Sequence, residues 1–572
     1  MKLLRLKITD PTGFRSLQAG FEVHFLREWN YAEAEEFNPY ILVGPNGSGK
    51  SNVLEVLAAI FYHIECMYLH YRPESLEYDE IENPQGFRSE HGSPNGFEIE
   101  YYIAGPERYN ISETEQYAHI KVIKESGKPP IIYSVNNPDQ ILTRIEAKEV
   151  LPDFVLGYSS GENEILSLPF FKMRFIQYDE YKDYLNSQIS YPSVPEGRLS
   201  FLNTEFNQAI ILSNLLLQDK QLLQPYSDEV GVEDIKRFRI IIKKYIKVDE
   251  EHITEDTENT VLFQRSILEK IEDELGEVQY RLEITRNLEA VIQKLIDCST
   301  CNHYDPESDQ LYLDYWVNEA TKHAFKHHFR SAIELFQVFQ ILLTLNLYTV
   351  NEKLKKELYQ STSLYVNETV PTLPSDERIM RFKDVWIQKR GLADQILIKS
   401  FSDGEHQFLH ALGLCLLFRG KNCLFLLDEP ETHFNPNWRA KFISSIRDCF
   451  SYIDSEFSTI REMLITTHTP FLISDSHREY VLVFNQSSDK TVVITRPDYN
   501  TFGASINKIT MKSFGKTETI GGYAEKQLNE MKERFEAGAE KRELIDEANN
   551  LLGDSVEKIL FVKRVLDSME EE

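Results

Sequence analysis

No run of about 18 uninterrupted apolar residues occurs in this 572-residue chain, so a membrane-spanning helix is not expected. The opening residues, MKLLRLKITD, lack the apolar core of a secretion signal, and a cytoplasmic protein without membrane contact is expected. Together these two absences weigh against a transporter with fused membrane helices. Cysteine is scarce: six in the whole chain, three of them in apolar runs that read as small core residues. Cys298 and Cys301 form a lone CxxC ahead of His303. Zinc needs four ligands and no second pair follows at a suitable spacing, so an unpaired surface loop is expected there. Basic residues are also short, with 62 Lys and Arg against 91 Asp and Glu, a formal net charge of −29. A protein that coats nucleic acid by itself is usually basic, because phosphate neutralisation drives that binding. The balance favours a protein partner, or nucleic acid gripped only within an assembled complex; strong net charge also serves solubility. Sustained heptads are missing too, which excludes long coiled-coil arms.

What is present begins at Ile41-Leu42-Val43, an apolar run that reads as a buried strand. Gly44-Pro45-Asn46-Gly47-Ser48-Gly49-Lys50-Ser51 follows, fitting G-x-x-x-x-G-K-[ST], and then Asn52 opens a helical pattern to Phe61. The glycines let backbone N–H groups curl around phosphate oxygens, and the helix start adds partial positive charge. Lys50 is expected to reach the β- and γ-phosphates of a nucleoside triphosphate, and Ser51 to hold Mg²⁺.

A second signal is Cys423-Leu424-Phe425-Leu426-Leu427-Asp428-Glu429-Pro430. Five apolar residues ending in two carboxylates describe a central parallel strand with acids at its C-terminal edge, where α/β sheets place ligands. Asp428 is expected on Mg²⁺, and Glu429 as the base that polarises the attacking water. About two dozen residues earlier, Ser402-Asp403-Gly404-Glu405 opens an apolar helical pattern, with Ser402 and Glu405 spaced as a capping box. In isolation that is a capped helix and nothing more. Met463-Leu464-Ile465-Thr466-Thr467-His468 is a further apolar strand, ending in a polar turn with one histidine.

In this order along one chain, these motifs resemble ABC-type ATPases of the branch shared by SMC, RecF and OLD proteins. FSDGEHQ is similar to the signature of that family and DEPETHFNP to its Walker B pattern; TTHTPFLISD and Phe14-Arg15-Ser16-Leu17 strengthen the same branch. Phe401, Phe434 and Asn435 depart from its usual residues. The resemblance implies ATP and Mg²⁺ as cofactors and an ATP site built from Asn46, Gly47, Ser48, Gly49, Lys50, Ser51 and Asn52. Across a homodimer or higher oligomer, it implies Ser402, Gly404 and Glu405 from the opposite subunit. It further implies Asp428 on Mg²⁺, Glu429 as base, His468 as a γ-phosphate sensor, and a Q-loop. For that loop the candidates are Gln177, as a Mg²⁺ ligand, and the segment Leu156–Glu164, which mimics a signature.

The implied fold is α/β: an ABC-type P-loop head with a mixed sheet, helices and an antiparallel β subdomain, a compact α-helical insertion and a helical tail. Residues 1–180 and 391–500 are expected to form the head, 181–390 a mainly helical insertion, with an acidic solvated loop near 248–256, and 501–572 a tail suited to partner binding. The tail is short and carries no DxD cluster, so neither a Toprim domain nor nuclease activity is expected in this chain. The short insertion, the OLD-like acids, Thr501-Phe502-Gly503-Ala504-Ser505 and the tail resemble ATPases of prokaryotic restriction and anti-phage defence, such as the PtuA proteins of Septu and retron systems and RloA-like proteins. That resemblance implies control of a separate nuclease, often of the HNH type. The alternatives are a RecF-like DNA repair or maintenance ATPase, with helices near Arg237-Phe238-Arg239 and Lys243-Lys244 supplying basic groups, and a slow-turnover ATP-dependent scaffold.

Overall fold

The computed structural model describes residues 1–26, 37–110, 117–160, 166–192, 197–250, 253, 263–272, 278–362, 370–451, 459–515 and 520–570. Gly161–Glu164 of the signature-like segment and most of the acidic stretch at 251–256 lie outside them.

At the centre is a seven-stranded sheet. In spatial order its strands are Val492–Thr495, Val481–Gln486, Tyr40–Val43, Glu462–Thr466, Cys423–Asp428, Phe154–Ser159 and Leu199–Phe201. All neighbours run parallel except the first pair. The central strands Tyr40–Val43, Cys423–Asp428 and Glu462–Thr466 are buried at every position. A parallel strand covered on both faces reads as a continuous apolar run rather than an alternating one, which is how Cys423-Leu424-Phe425-Leu426-Leu427 appears. Asp428 pairs in register with Thr466 on one side and Ser159 on the other. The polar ends of three strands therefore meet at one carboxyl edge.

A five-stranded antiparallel sheet forms the second layer, in the order Glu22–His24, Lys2–Ile8, Phe97–Ile103, Ala118–Lys124, Ile131–Ser134. The α/β head with its antiparallel subsheet is therefore present. The apolar faces of both sheets share one continuous core with the helix Lys50–Tyr68.

The insertion corrects the expectation of a mainly helical body over 181–390. Helices such as Asn207–Leu217, Glu289–Cys298 and Ala332–Thr344 alternate with strands. The strands form a five-stranded antiparallel sheet, Cys301–Asp305, Gln310–Trp316, Val232–Lys243, Met380–Lys389 and Ile396–Leu397, and a three-stranded one over Tyr245–Val248, Val278–Glu283 and Leu268–Glu272. Arg237 and Arg239 lie on a strand, not a helix. The consecutive apolar residues Ile240, Ile241 and Ile242 mask the period-two alternation that would have announced it. Cys298 ends a helix and is buried, while Cys301 starts a strand and is exposed, so the CxxC is not the surface loop expected. One helical stretch, Ala332–Thr349, is apolar and long enough to cross a membrane, but it is 72% buried within the fold.

After the head come Gly522–Glu536, Lys541–Leu551 and Val556–Glu570, three helices with a small core of their own around Leu528, Met531, Leu544, Phe561 and Val565.

Candidate nucleotide site

The turn between the strand Tyr40–Val43 and the helix Lys50–Tyr68 owes its shape to three glycines. Gly44, Gly47 and Gly49 have φ of 149°, 75° and 98°, values that residues with a Cβ rarely adopt. Gly44 is also fixed by crowding, since a Cβ there would lie 2.3 Å from the Phe484 carbonyl oxygen of the next strand. Asn46 and Gly47 form the exposed tip, where Gln486 Nε2 donates to the Gly47 carbonyl at 3.0 Å. Ser48 and Gly49 are buried beneath it. Lys50 folds across the turn and donates to the carbonyls of Gly44 and Pro45, both at 2.9 Å. Burial lowers its pKa, opposed by the charges of Glu429 and Asp428.

Behind the turn, the Phe14–Leu17 segment has a physical role that its sequence does not announce. Ser16 Oγ donates to Asn52 Oδ1 at 2.6 Å, Asn52 Nδ2 to Glu55 Oε2 at 3.1 Å, and Arg15 Nε to Glu55 Oε1 at 2.9 Å. This chain of bonds braces the first turns of the phosphate-loop helix. Asn52 is occupied by it rather than turned toward the loop.

Facing the turn is the end of the acidic strand. Ser51 Oγ donates to Asp428 Oδ1 at 2.8 Å, and Thr466 Oγ1 donates to the same oxygen at 2.5 Å. Asp428 is buried, and desolvation raises its pKa against the lowering effect of those two hydroxyls. Glu429 adopts φ of 49° and its N–H bonds Thr466. Its carboxylate meets His468 Nε2 at 3.1 Å, and both side chains remain partly exposed. The bond to His468, ahead of burial, holds the Glu429 carboxyl below the ordinary range. Asp428, Glu429, Lys50, Ser51 and His468 thus converge on one carboxyl edge of the sheet, from three separate chain segments.

Three contributors lie in motifs named above but had no role assigned from the sequence. Ser160 N–H donates to the Asp428 carbonyl at 3.1 Å, and its hydroxyl donates to the Glu429 carbonyl and to Thr432 Oγ1, pinning the turn after the acids. Glu431 is buried and accepts the Thr467 hydroxyl; burial pushes its carboxyl up to about 7. Thr466 shares Asp428 with Ser51. Only the pairing register of the strands brings Ser160 and Thr466 to this edge.

The helix Asp403–Leu417 has the capping box expected of it: Ser402 N–H and Oγ both donate to Glu405 Oε2, at 2.8 and 3.0 Å. Glu405 also pairs with Lys389. Gly404 packs on the turn after the acids, and His433 N–H donates to Gln407 Oε1 at 3.1 Å. Ser402 is exposed and its side chain is engaged with its own helix. Among the described residues no bond joins Ser402 to Lys50, Ser51 or Asp428 within one protomer. Gln177 is likewise not brought to them. It is buried in the middle of the helix Leu168–Asn186, with its amide donating to the Gly197 carbonyl. This corrects the expectation of a Mg²⁺ ligand at that position: the helix directs the side chain into packing against another loop.

The donor set suits a magnesium nucleotide. A buried carboxylate and a serine hydroxyl at a helix start are hard oxygen ligands, and the lysine in the glycine turn is a phosphate-binding group. Among the described residues no cluster of three or more His, Cys, Asp or Glu could hold a metal on protein side chains alone. A magnesium site shared with phosphate oxygens does not require one.

No curated protein matches this sequence. Among solved structures, similar ones include the SMC head bound to the C-terminal winged-helix domain of ScpA, with 12% identity, a TM-score of 0.30, and 86% of this chain and 96% of that one covered. Others are the SMC head domain from Thermotoga maritima, with 11% identity, a TM-score of 0.31 and 87% and 100% covered, and the Smc head with a coiled coil and joint from Pyrococcus yayanosii, with 13% identity, a TM-score of 0.29 and 87% and 97% covered. A family profile described as an AAA ATPase domain matches residues 1–473. That span holds the glycine turn, the acidic strand and the histidine turn together, and the chain belongs to the AAA ATPase domain family.

Proposed function

We propose that this protein hydrolyses ATP at composite sites formed by two copies of the chain, and that the ATP-bound pairing controls a separate effector, a nuclease, in anti-phage defence. The observation that carries the hydrolytic part is the 2.8 Å bond from Ser51 Oγ to Asp428 Oδ1, which joins the phosphate turn to the acidic strand across 377 residues. In this reading Lys50 leaves its two carbonyl acceptors for the β- and γ-phosphates, at small cost, because one set of oxygen acceptors replaces another. Ser51 and Asp428 would hold Mg²⁺, which supplies charge neutralisation on the phosphate oxygens. Glu429, kept ionised by its bond to His468, takes the proton of the attacking water as the water adds in line to the γ-phosphorus and the bond to the β-phosphate oxygen breaks. His468 orients that carboxylate and faces the leaving charge.

The exposed Ser402 at a helix start supports a second copy closing on the nucleotide: the first N–H groups of a helix suit a phosphate, and among the described residues no bond joins Ser402 to its own chain's Lys50 or Asp428. Control of a nuclease rests on the resemblance of the motifs to defence ATPases. It is also favoured by a tail of three helices with exposed Val556, Ile559 and Leu560, a face suited to a protein partner.

The test is the Glu429→Gln protein. It should bind ATP as wild type does, turn over about 10²–10⁴-fold more slowly, and accumulate as a dimer with ATP in light scattering. Wild-type turnover would remove Glu429 from the reaction. Phage plating on cells carrying this gene with its neighbouring genes tests the defence role, with Lys50→Ala as the silent control.

A further inference from the structure

The inserted five-stranded sheet has one face packed on the fold and one turned outward. Phe238, Ile240, Ile242, Leu313 and Tyr315 fill the inner face. On the outer face the pairing register sets up three rungs across neighbouring strands. The first is Trp316, Arg237 and Trp386, and the second Asp314, Arg239 and Lys383; the third is Tyr312, Ile241 and Arg381, with Ile241 buried between its neighbours. On the first two strands successive rungs are two residues, about 7 Å, apart, while a bulge on the third sets Lys383 and Trp386 three residues apart.

In the first rung the Arg237 guanidinium lies between two indoles, 5.2 Å from the Trp316 ring and 4.6 Å from the Trp386 ring. Its Nε is buried and has no hydrogen-bond partner among the described residues. Trp316 is nevertheless 59% exposed, an uncommon position for the largest apolar side chain. Below it, Arg239 is held by Asp314 through two bonds of 2.7 and 2.8 Å and lies over the Tyr312 ring, while Lys383 is exposed. The rungs carry four cations, and Asp314 and Asp384 are the carboxylates that act on Arg239 among the described residues. In a chain of net charge −29 this is a local reversal of sign on a surface that also presents aromatic rings.

We propose that this outer face docks single-stranded DNA. The exposed Trp316 ring offers a platform on which a base stacks, and the cations beside it track the phosphates. A duplex hides its base faces and so cannot use Trp316. The neutral polar groups nearest the rungs are already engaged: Gln310 Oε1 accepts from both Tyr312 and Arg381. Among the described residues no neutral polar side chain of these rungs is left free for a ribose 2′-hydroxyl, and DNA rather than RNA is the assigned occupant. This inference stands on the insertion alone and does not depend on the hydrolytic reading.

The experiment is fluorescence anisotropy of labelled oligo(dT) with the full-length protein, at low and high salt, against an equally long hairpin duplex and against oligo(rU). Oligo(dT) should bind, more tightly than the duplex and at least as tightly as oligo(rU). Trp316→Ala should weaken it about tenfold, the scale of one lost base–ring stack, while ATP turnover and circular dichroism stay unchanged. Lys383→Glu should also weaken it and flatten the salt dependence. No binding at low salt, a Trp316→Ala affinity within about twofold of wild type, or a preference for duplex or oligo(rU) would each overturn the proposal.

Discussion

Gly404, at the start of the helix Asp403–Leu417, sits so close to the backbone of His433 that a Cβ there would lie 2.6 Å from the His433 carbonyl oxygen. The start of the helix that carries the exposed Ser402 is thus pressed directly on the turn that follows Glu429. Movement of one is transmitted to the other without an intervening side chain.

Gly404→Ala forces that contact apart. Overpacking of this kind costs about 1–3 kcal/mol, so thermal unfolding should move down by about 1–3 °C in a chain of this length. Turnover should fall further than stability, because the displaced turn carries Glu429. A Gly404→Ala protein that hydrolyses ATP at the wild-type rate while melting earlier would show that the contact is only packing.

The bond between His468 and Glu429 predicts a pH effect. His468 is the first cause of the lowered Glu429 carboxyl, and the base works only when ionised. In His468→Gln the carboxyl returns toward its ordinary range. The acid limb of the turnover profile should therefore move up toward the ordinary carboxylate value of 4.5, with a larger loss near pH 4.5 than at pH 7, where the carboxyl is ionised in either protein. A loss that is uniform across pH would leave His468 with a role in the transition state alone.

Glu431 gives a prediction about stability, measured on the protein without nucleotide. Its folded carboxyl is raised to about 7, above the unfolded value, so the folded state binds the extra proton. Its burial is therefore harmless below the ordinary value of 4.5 and costs stability as pH rises from there to about 7, levelling off at roughly 3 kcal/mol above it. Glu431→Gln keeps the shape and an acceptor for the Thr467 hydroxyl but has no charge to bury. It should melt like wild type at about pH 4 and higher than wild type at about pH 8. Equal melting at both values would mean that the carboxyl is ionised and satisfied.

The parts legible in the sequence are those in which neighbours in the chain are neighbours in space. The glycine turn, the capping box of Ser402 and Glu405, and the apolar strand ending in Asp428 are local patterns with local causes. The supports of the site are not local. Phe484 crowds Gly44, Gln486 holds Gly47, and Ser160 pins the backbone of Glu429 across 269 residues, and each follows only from the order of strands in the central sheet. Gln177 misled because a glutamine between aromatic residues looks alike in a loop and in the middle of a buried helix. The inserted sheet stayed hidden because its longest strand, Val232–Lys243, carries bulges against its neighbour and three adjacent isoleucines, so its alternation is broken where a reader would look for it.

The sharing of one site between two copies can be tested with two inactive proteins. Lys50→Ala disables the phosphate turn but leaves Ser402 and its helix start intact. Ser402→Arg leaves the phosphate turn intact and blocks the approach of that exposed helix start to a neighbour. Each alone should be nearly inert as a homodimer. In a mixed dimer, one site is assembled from the good turn of the Ser402→Arg copy and the good helix start of the Lys50→Ala copy. Equimolar mixing should recover about a quarter of wild-type turnover, since random pairing makes half the dimers mixed and each has one of two sites whole. If Ser402 served the nucleotide of its own chain, both sites of the mixed dimer would be defective and mixing would recover nothing at any ratio.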